Sequence, residues 1–104
     1  MKLTVVGAGG IGGYLGTMLS AAGEEVTFVA RHRNLEAINA RGFRLRREDG
    51  TEVHAPRVRA VQDPADAGPQ DAVLLAVKAH QGADLLPGLR GLFGPETSVV
   101  SMIN

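Results

Sequence analysis

Three glycines stand at the first, third and sixth positions of Gly7-Ala8-Gly9-Gly10-Ile11-Gly12. The run follows the short, β-branched apolar stretch at residues 3–6 and opens a segment of helical period. Each glycine then has its own role. The first permits a tight turn, the second leaves room for a pyrophosphate against the backbone, and the third lets helix and strand lie close. Gly13 and Gly16 continue the same helical face as Gly9 and Gly12. The helix start offers unpaired N–H groups and the positive end of the helix dipole, both suited to an anion. A glycine-rich turn with no ligand is the alternative, but four glycines on one helical face cost about 1 kcal/mol each relative to alanine.

The second apolar run, residues 26–30, ends in Arg31-His32-Arg33 with no acid. An acid at this point usually accepts bonds from the ribose hydroxyls of NAD. An arginine instead offers a bidentate fork to a 2′-phosphate, so NADP is favoured over NAD. Arg33 can assist; His32 either flanks the adenine or is a solvated loop residue. At the end of the most apolar run, residues 72–77, stands Lys78. It either points into the crevice where nicotinamide and substrate would meet or is an ordinary surface lysine. Asn104 follows the last apolar run, and an amide there can orient a ligand by hydrogen bonds. His54 and His80 have no partner at metal-ligand spacing and no nucleophile–base pair is evident, so neither a metal nor a catalytic residue is assigned.

These residues need a scaffold that brings strand ends to one edge. The hydrophobic pattern reads strand at 3–6, then a helix with Ile11, Leu15, Met18, Leu19 and Ala22 on one stripe, a stop at Gly23, strand at 26–30, and a helix over 35–40 capped by Asn34 and ended by Gly42. Residues 43–61 change to alternation, with Asp49-Gly50 as a hairpin signal and Pro56 at a bend or edge, and are read as two or three antiparallel strands. Asp63-Pro64 suits the cap and first position of a single helical turn. A strand at 72–77, a helix at 79–93 interrupted at Pro87-Gly88, and a last buried strand at 98–103 complete the chain. This alternation predicts an α/β fold, a Rossmann-type doubly wound and mostly parallel sheet with an antiparallel hairpin insertion around residues 43–61.

Composition agrees with a small globular domain. Of 104 residues, 44% are hydrophobic and 21% charged, and surface scaling buries about 64% of the unfolded chain's area. No apolar run is long enough for a membrane helix and no signal-peptide pattern is seen, so the expected location is the cytoplasm. Zero cysteines exclude disulfides and thiolate chemistry. The net charge of zero hides a basic middle: eight arginines against four acids between Arg31 and Arg59. With aromatics at 4% that patch suits a small phosphorylated ligand better than nucleic acid. The hairpin arginines read as the solvated face of a ribbon.

The glycine loop, Arg31, the hairpin, "DAVLLAVKAHQ" and the closing "SMIN" together resemble the ketopantoate reductase (2-dehydropantoate 2-reductase) family along the whole chain. The family follows its fifth strand with Asn-Gly, and here the sequence ends on the Asn. The resemblance implies NADPH-dependent reduction of ketopantoate, a small 2-oxoacid, to pantoate in pantothenate and coenzyme A biosynthesis. By that resemblance Gly7, Ala8, Gly9, Gly10, Ile11 and Gly12 bind the pyrophosphate, Arg31 the 2′-phosphate, and Lys78 and Asn104 the nicotinamide half and the substrate. It places the catalytic lysine and a substrate-binding glutamate in a helical second domain. Residues 1–104 are therefore expected to be the NADP-binding N-terminal portion of a longer enzyme, inactive alone, with no nucleic-acid or membrane partner and with a homodimer compatible with the reading. Another NADP-dependent hydroxyacid dehydrogenase of the same superfamily, or a non-catalytic nucleotide sensor, are the competing readings. The lack of an acid after the second strand counts against the sensor.

Overall fold

A computed structural model of the chain describes residues 1–7, 10–55, 58–76 and 86–101. Five strands form one parallel sheet: β1 (Lys2–Val6), β2 (Glu25–Val29), β5 (Arg59–Val61), β6 (Ala72–Leu75) and β7 (Ser98–Ser101), in the order β5-β2-β1-β6-β7. Counted along the chain as parallel strands this is 3-2-1-4-5, the doubly wound order with its reversal between β1 and β6. Registers such as Val5 with Phe28 and with Leu74 align three strands side by side. Their residues are buried in unbroken runs because both sheet faces are covered. Leu3, Val5, Val26, Phe28 and Leu74 fill one face, together with Ile38 and Ala55. Val6, Val73 and Leu75 fill the other with Leu89 and Leu92. No helix among the described residues is long and apolar enough to cross a membrane.

Helix α1 (Gly10–Ala21) meets the sheet closely at Gly12 and Gly16, and Leu19 of the apolar stripe packs against the core beside them. A Cβ on Gly16 would sit 2.5 Å from Phe28 Cζ, so only hydrogen fits there. Leu15, Met18 and Leu19 are half-buried and Ala22 is exposed. The hairpin of β3 (Phe43–Arg46) and β4 (Glu52–Ala55) lies along α1, and Phe43 stacks on Phe28 with ring centroids 5.0 Å apart. Asp49 closes the hairpin: its carboxylate accepts the Thr51 N–H at 2.9 Å and the Thr51 hydroxyl at 2.6 Å, while Gly50 takes φ +88°. The Thr51 hydroxyl and then its N–H hold the Asp49 carboxyl below its usual range.

Three sequence expectations shift. Helix α2 (His32–Arg41) starts ahead of the expected cap: Arg31 holds the cap position in extended backbone and the Asn34 N–H already bonds the Arg31 carbonyl at 3.2 Å, so Asn34 lies inside the helix. Gly42 ends it at φ +76°, as expected. The third run of the 43–61 region, β5, is not antiparallel: it joins the main sheet parallel to β2. And β7 is exposed at every residue, with Val99 at 49% and Val100 at 46%, because it is an edge strand over which no described residue packs. Asp63 caps the turn Pro64–Ala67 through the Ala65 N–H, as expected. The interruption at Pro87-Gly88 falls within the 3₁₀ turn Leu86–Leu92. Pro56 and residues 77–85 lie outside the described residues.

The outer edge of β5 is closed by a side chain. The Asn39 amide on α2 donates to the Ala60 carbonyl at 3.0 Å and accepts the Ala60 N–H at 2.8 Å, standing in for a neighbouring strand. Asn39→Ala removes both bonds and leaves two part-buried backbone groups unpaired. The expected loss is about 2 kcal/mol of folding stability, read by urea denaturation. A loss below about 0.5 kcal/mol would mean that water replaces the amide without penalty.

Candidate functional site at the strand ends

All five sheet strands run parallel, so their C-terminal ends share one edge. Gly7 follows β1, Ala30 and Arg31 follow β2, Gln62 follows β5, and Ala76 follows β6. Ligands of such sheets bind outside that edge at the reversal of strand order. Here that point lies between β1 and β6, where the Ala76 N–H bonds the Val6 carbonyl at 2.9 Å.

The turn out of β1 is built for close approach. Gly7 takes φ +102°, a conformation that side chains strongly disfavour. A Cβ on Gly12 would fall onto the Gly7 carbonyl oxygen and within 2.9 Å of Ala76 Cβ and 3.1 Å of Val5 Cγ1. The first turn of α1 holds no acidic residue to offset the positive end of its dipole. A cradle that only glycine can form, opening a helix with no carboxylate, fits a pyrophosphate. Gly10 and Ile11 begin α1; Ala8 and Gly9, at the centre of the loop, lie outside the described residues.

Arg31 stands at the mouth of β2 with its side chain exposed and makes no ion pair among the described residues. His32 follows at φ +52°, an uncommon value for a non-glycine residue, and begins α2, whose first turn also holds no acid. The two residues line a cleft of about 470 Å³, opposite Gln62, Asp63, Pro64 and Asp66. Sequence reasoning missed that second wall. It assigned residues 59–61 to an antiparallel hairpin, whereas parallel pairing with β2 carries the following turn to the same edge as Arg31. The signal was present in Val58 and Ala60, which are buried as in a sheet interior, but alternation alone does not reveal strand direction. The structure thus adds two carboxylates to a site that the sequence suggested was free of acids.

Lys78 and Asn104 lie outside the described residues, as does His80. Among the described residues no group of three or more His, Cys, Asp or Glu is arranged to hold a metal. A second cleft of about 390 Å³, bordered by Lys2, Glu25 and Arg59, opens at the start of the strands, the edge opposite the glycine turn.

The family model described as ketopantoate reductase PanE/ApbA matches residues 3–104. A 2-dehydropantoate 2-reductase of Mesorhizobium japonicum is 50% identical over 105 residues, covering 100% of this chain and 32% of the relative. One from Pyrococcus horikoshii is 32% identical and is covered to 33%. The chain thus spans about a third of the length of the curated relatives it matches. Among solved structures, a putative ketopantoate reductase from Ralstonia solanacearum superposes with a TM-score of 0.90 at 44% identity, over 99% of this chain and 32% of that one. A D-mandelate dehydrogenase solved with NADH and anilino(oxo)acetate superposes at 0.87 and 28% identity, over 100% of this chain and 33% of that one.

Proposed function

This chain belongs to the ketopantoate reductase family, and on that premise we propose that it supplies the cofactor half of an NADPH-dependent reductase converting 2-dehydropantoate to pantoate, toward pantothenate and coenzyme A. The observation that supports the cofactor choice best is Arg31, at the end of β2, exposed to a cleft and without an ion pair among the described residues. Gly7, Ala8, Gly9, Gly10, Ile11 and Gly12 hold the pyrophosphate against the start of α1, and Arg31 takes the 2′-phosphate through its planar fork. Lys78 and Asn104 hold the nicotinamide half and the 2-oxoacid. NADPH, when bound, supplies the hydride. The protein's part would be to fix the cofactor at the strand ends through the glycine turn after β1 and Arg31 after β2. The reading carries with it a cytoplasmic enzyme with a small-molecule substrate, and a homodimer as an assembly open to test.

The test is calorimetry with both cofactors at fixed salt. NADPH is expected to bind at least about tenfold tighter than NADH, and Arg31→Ala to erase most of the gap. Equal affinities in the unaltered protein would sink the assignment.

A second reading is another 2-hydroxyacid dehydrogenase. The likeness to the D-mandelate dehydrogenase solved with NADH, and the two acids facing Arg31, support it. Under that reading NADH binds at least as well as NADPH and the oxoacid preference moves away from ketopantoate.

A further inference from the structure

We infer that Asp66 is a second determinant of cofactor choice, acting against Arg31 across the same cleft. The inference rests on the proposal that this cleft receives the adenosine ribose of the cofactor. Its walls carry one guanidinium, Arg31, and two carboxylates, Asp63 and Asp66. The carboxylates are not equivalent. Asp63 is engaged as the cap of its turn, its Oδ1 accepting the Ala65 N–H at 3.0 Å. Asp66 has no side-chain hydrogen bond or ion pair among the described residues; its backbone carbonyl alone accepts from Arg59 Nη2, at 3.4 Å. Its charge is therefore held at the cleft by the turn, with no ion-pair partner among the described residues.

The two cofactors differ at one ribose position. NADPH carries a phosphate there, which Arg31 attracts and Asp66 repels. NADH carries a hydroxyl, which can donate to a carboxylate and accepts from a guanidinium only as a neutral group, without the charge attraction a phosphate gains. The cleft thus holds opposing determinants on two different elements, the start of α2 and the turn after β5. No acid follows β2 itself, and the carboxylate reaches the site only because β5 lies parallel beside β2.

The test uses the full-length protein, with NADPH and NADH titrated by calorimetry at low and high salt. Asp66→Asn keeps the size of the side chain and removes its charge at an exposed site. It is expected to tighten NADPH by about three- to tenfold at low salt, the size of one charge interaction across several ångströms of water-exposed cleft. NADH is expected not to tighten, and the NADPH gain is expected to shrink in high salt. An NADPH affinity unchanged within about twofold, or equal tightening of both cofactors, overturns the inference. Arg31→Ala run in parallel separates the two levels. If it weakens NADPH while Asp66→Asn changes nothing, the site assignment stands and the role of Asp66 falls. If it leaves NADPH unaffected, both fall.

Discussion

Gly12→Ala is expected to lower folding stability by about 3 kcal/mol and to remove measurable NADPH binding. The added methyl meets backbone on one side, the Gly7 carbonyl, and packed side chains on the other, Ala76 and Val5. None of these is the free end of a flexible chain. Relief requires α1 to lift from β1, and overpacking of a close interface reaches the upper end of the usual range of about 1–3 kcal/mol. Lifting α1 also moves the N–H groups that would face the pyrophosphate, so binding fails for the same reason that stability falls. Gly88→Ala is the control. A methyl there meets nothing within 4 Å among the described residues, and the expected change stays within about 0.5 kcal/mol. Urea denaturation and NADPH titration read both effects. A Gly12→Ala protein with unaltered stability and affinity would show that α1 does not rest on β1 at this distance.

On the proposed reading, the 104-residue polypeptide alone is expected to bind NADPH and to reduce ketopantoate at least about 100-fold more slowly than a relative of full family length, such as the Mesorhizobium japonicum reductase. On that reading its described residues supply a glycine turn that can cradle phosphates and a cleft that presents Arg31, which are binding elements. Hydride transfer to a ketone also needs a proton for the developing alkoxide, and positioned acid catalysis contributes about 10²- to 10⁴-fold. Family resemblance assigns that proton to a lysine of a helical domain, and this chain spans about a third of its relatives' length. Closure by such a domain would also exclude water from the reacting carbonyl. The measurement is NADPH oxidation with ketopantoate. Turnover by the 104 residues near about 1 s⁻¹, an ordinary enzymatic rate, would place the proton donor inside them and make Lys78 the first candidate.

The parts of the site that lie within one continuous stretch were legible in the residues. The turn at Gly7, the close packing at Gly12, and Arg31 at the mouth of the second strand each follow from a glycine or an arginine placed just after a β-branched run. The Asp63-Pro64 cap and the Asp49-Gly50 hairpin were legible for the same reason, since each is decided by hydrogen bonds between residues close together in the chain. The start of α2 was misplaced because Asn34 is a good cap by type, yet the chain turns at Arg31 and His32 without a side-chain cap.

By itself, then, the sequence determined the α/β fold, the alternation of strands and helices, and the identity of the glycine turn and Arg31 as neighbours of a strand end. Periodicity and local turn chemistry suffice for these, because they depend on contacts within one or two turns of chain. Only the tertiary structure decided that residues 59–61 pair parallel with β2, that Asn39 seals the edge they form, and that Asp63 and Asp66 therefore face Arg31. A short alternating run fits parallel or antiparallel pairing equally well, since side chains alternate in both. The direction is chosen by which neighbour offers a matching buried face, and for β5 that neighbour is Phe28 on β2, far earlier in the chain.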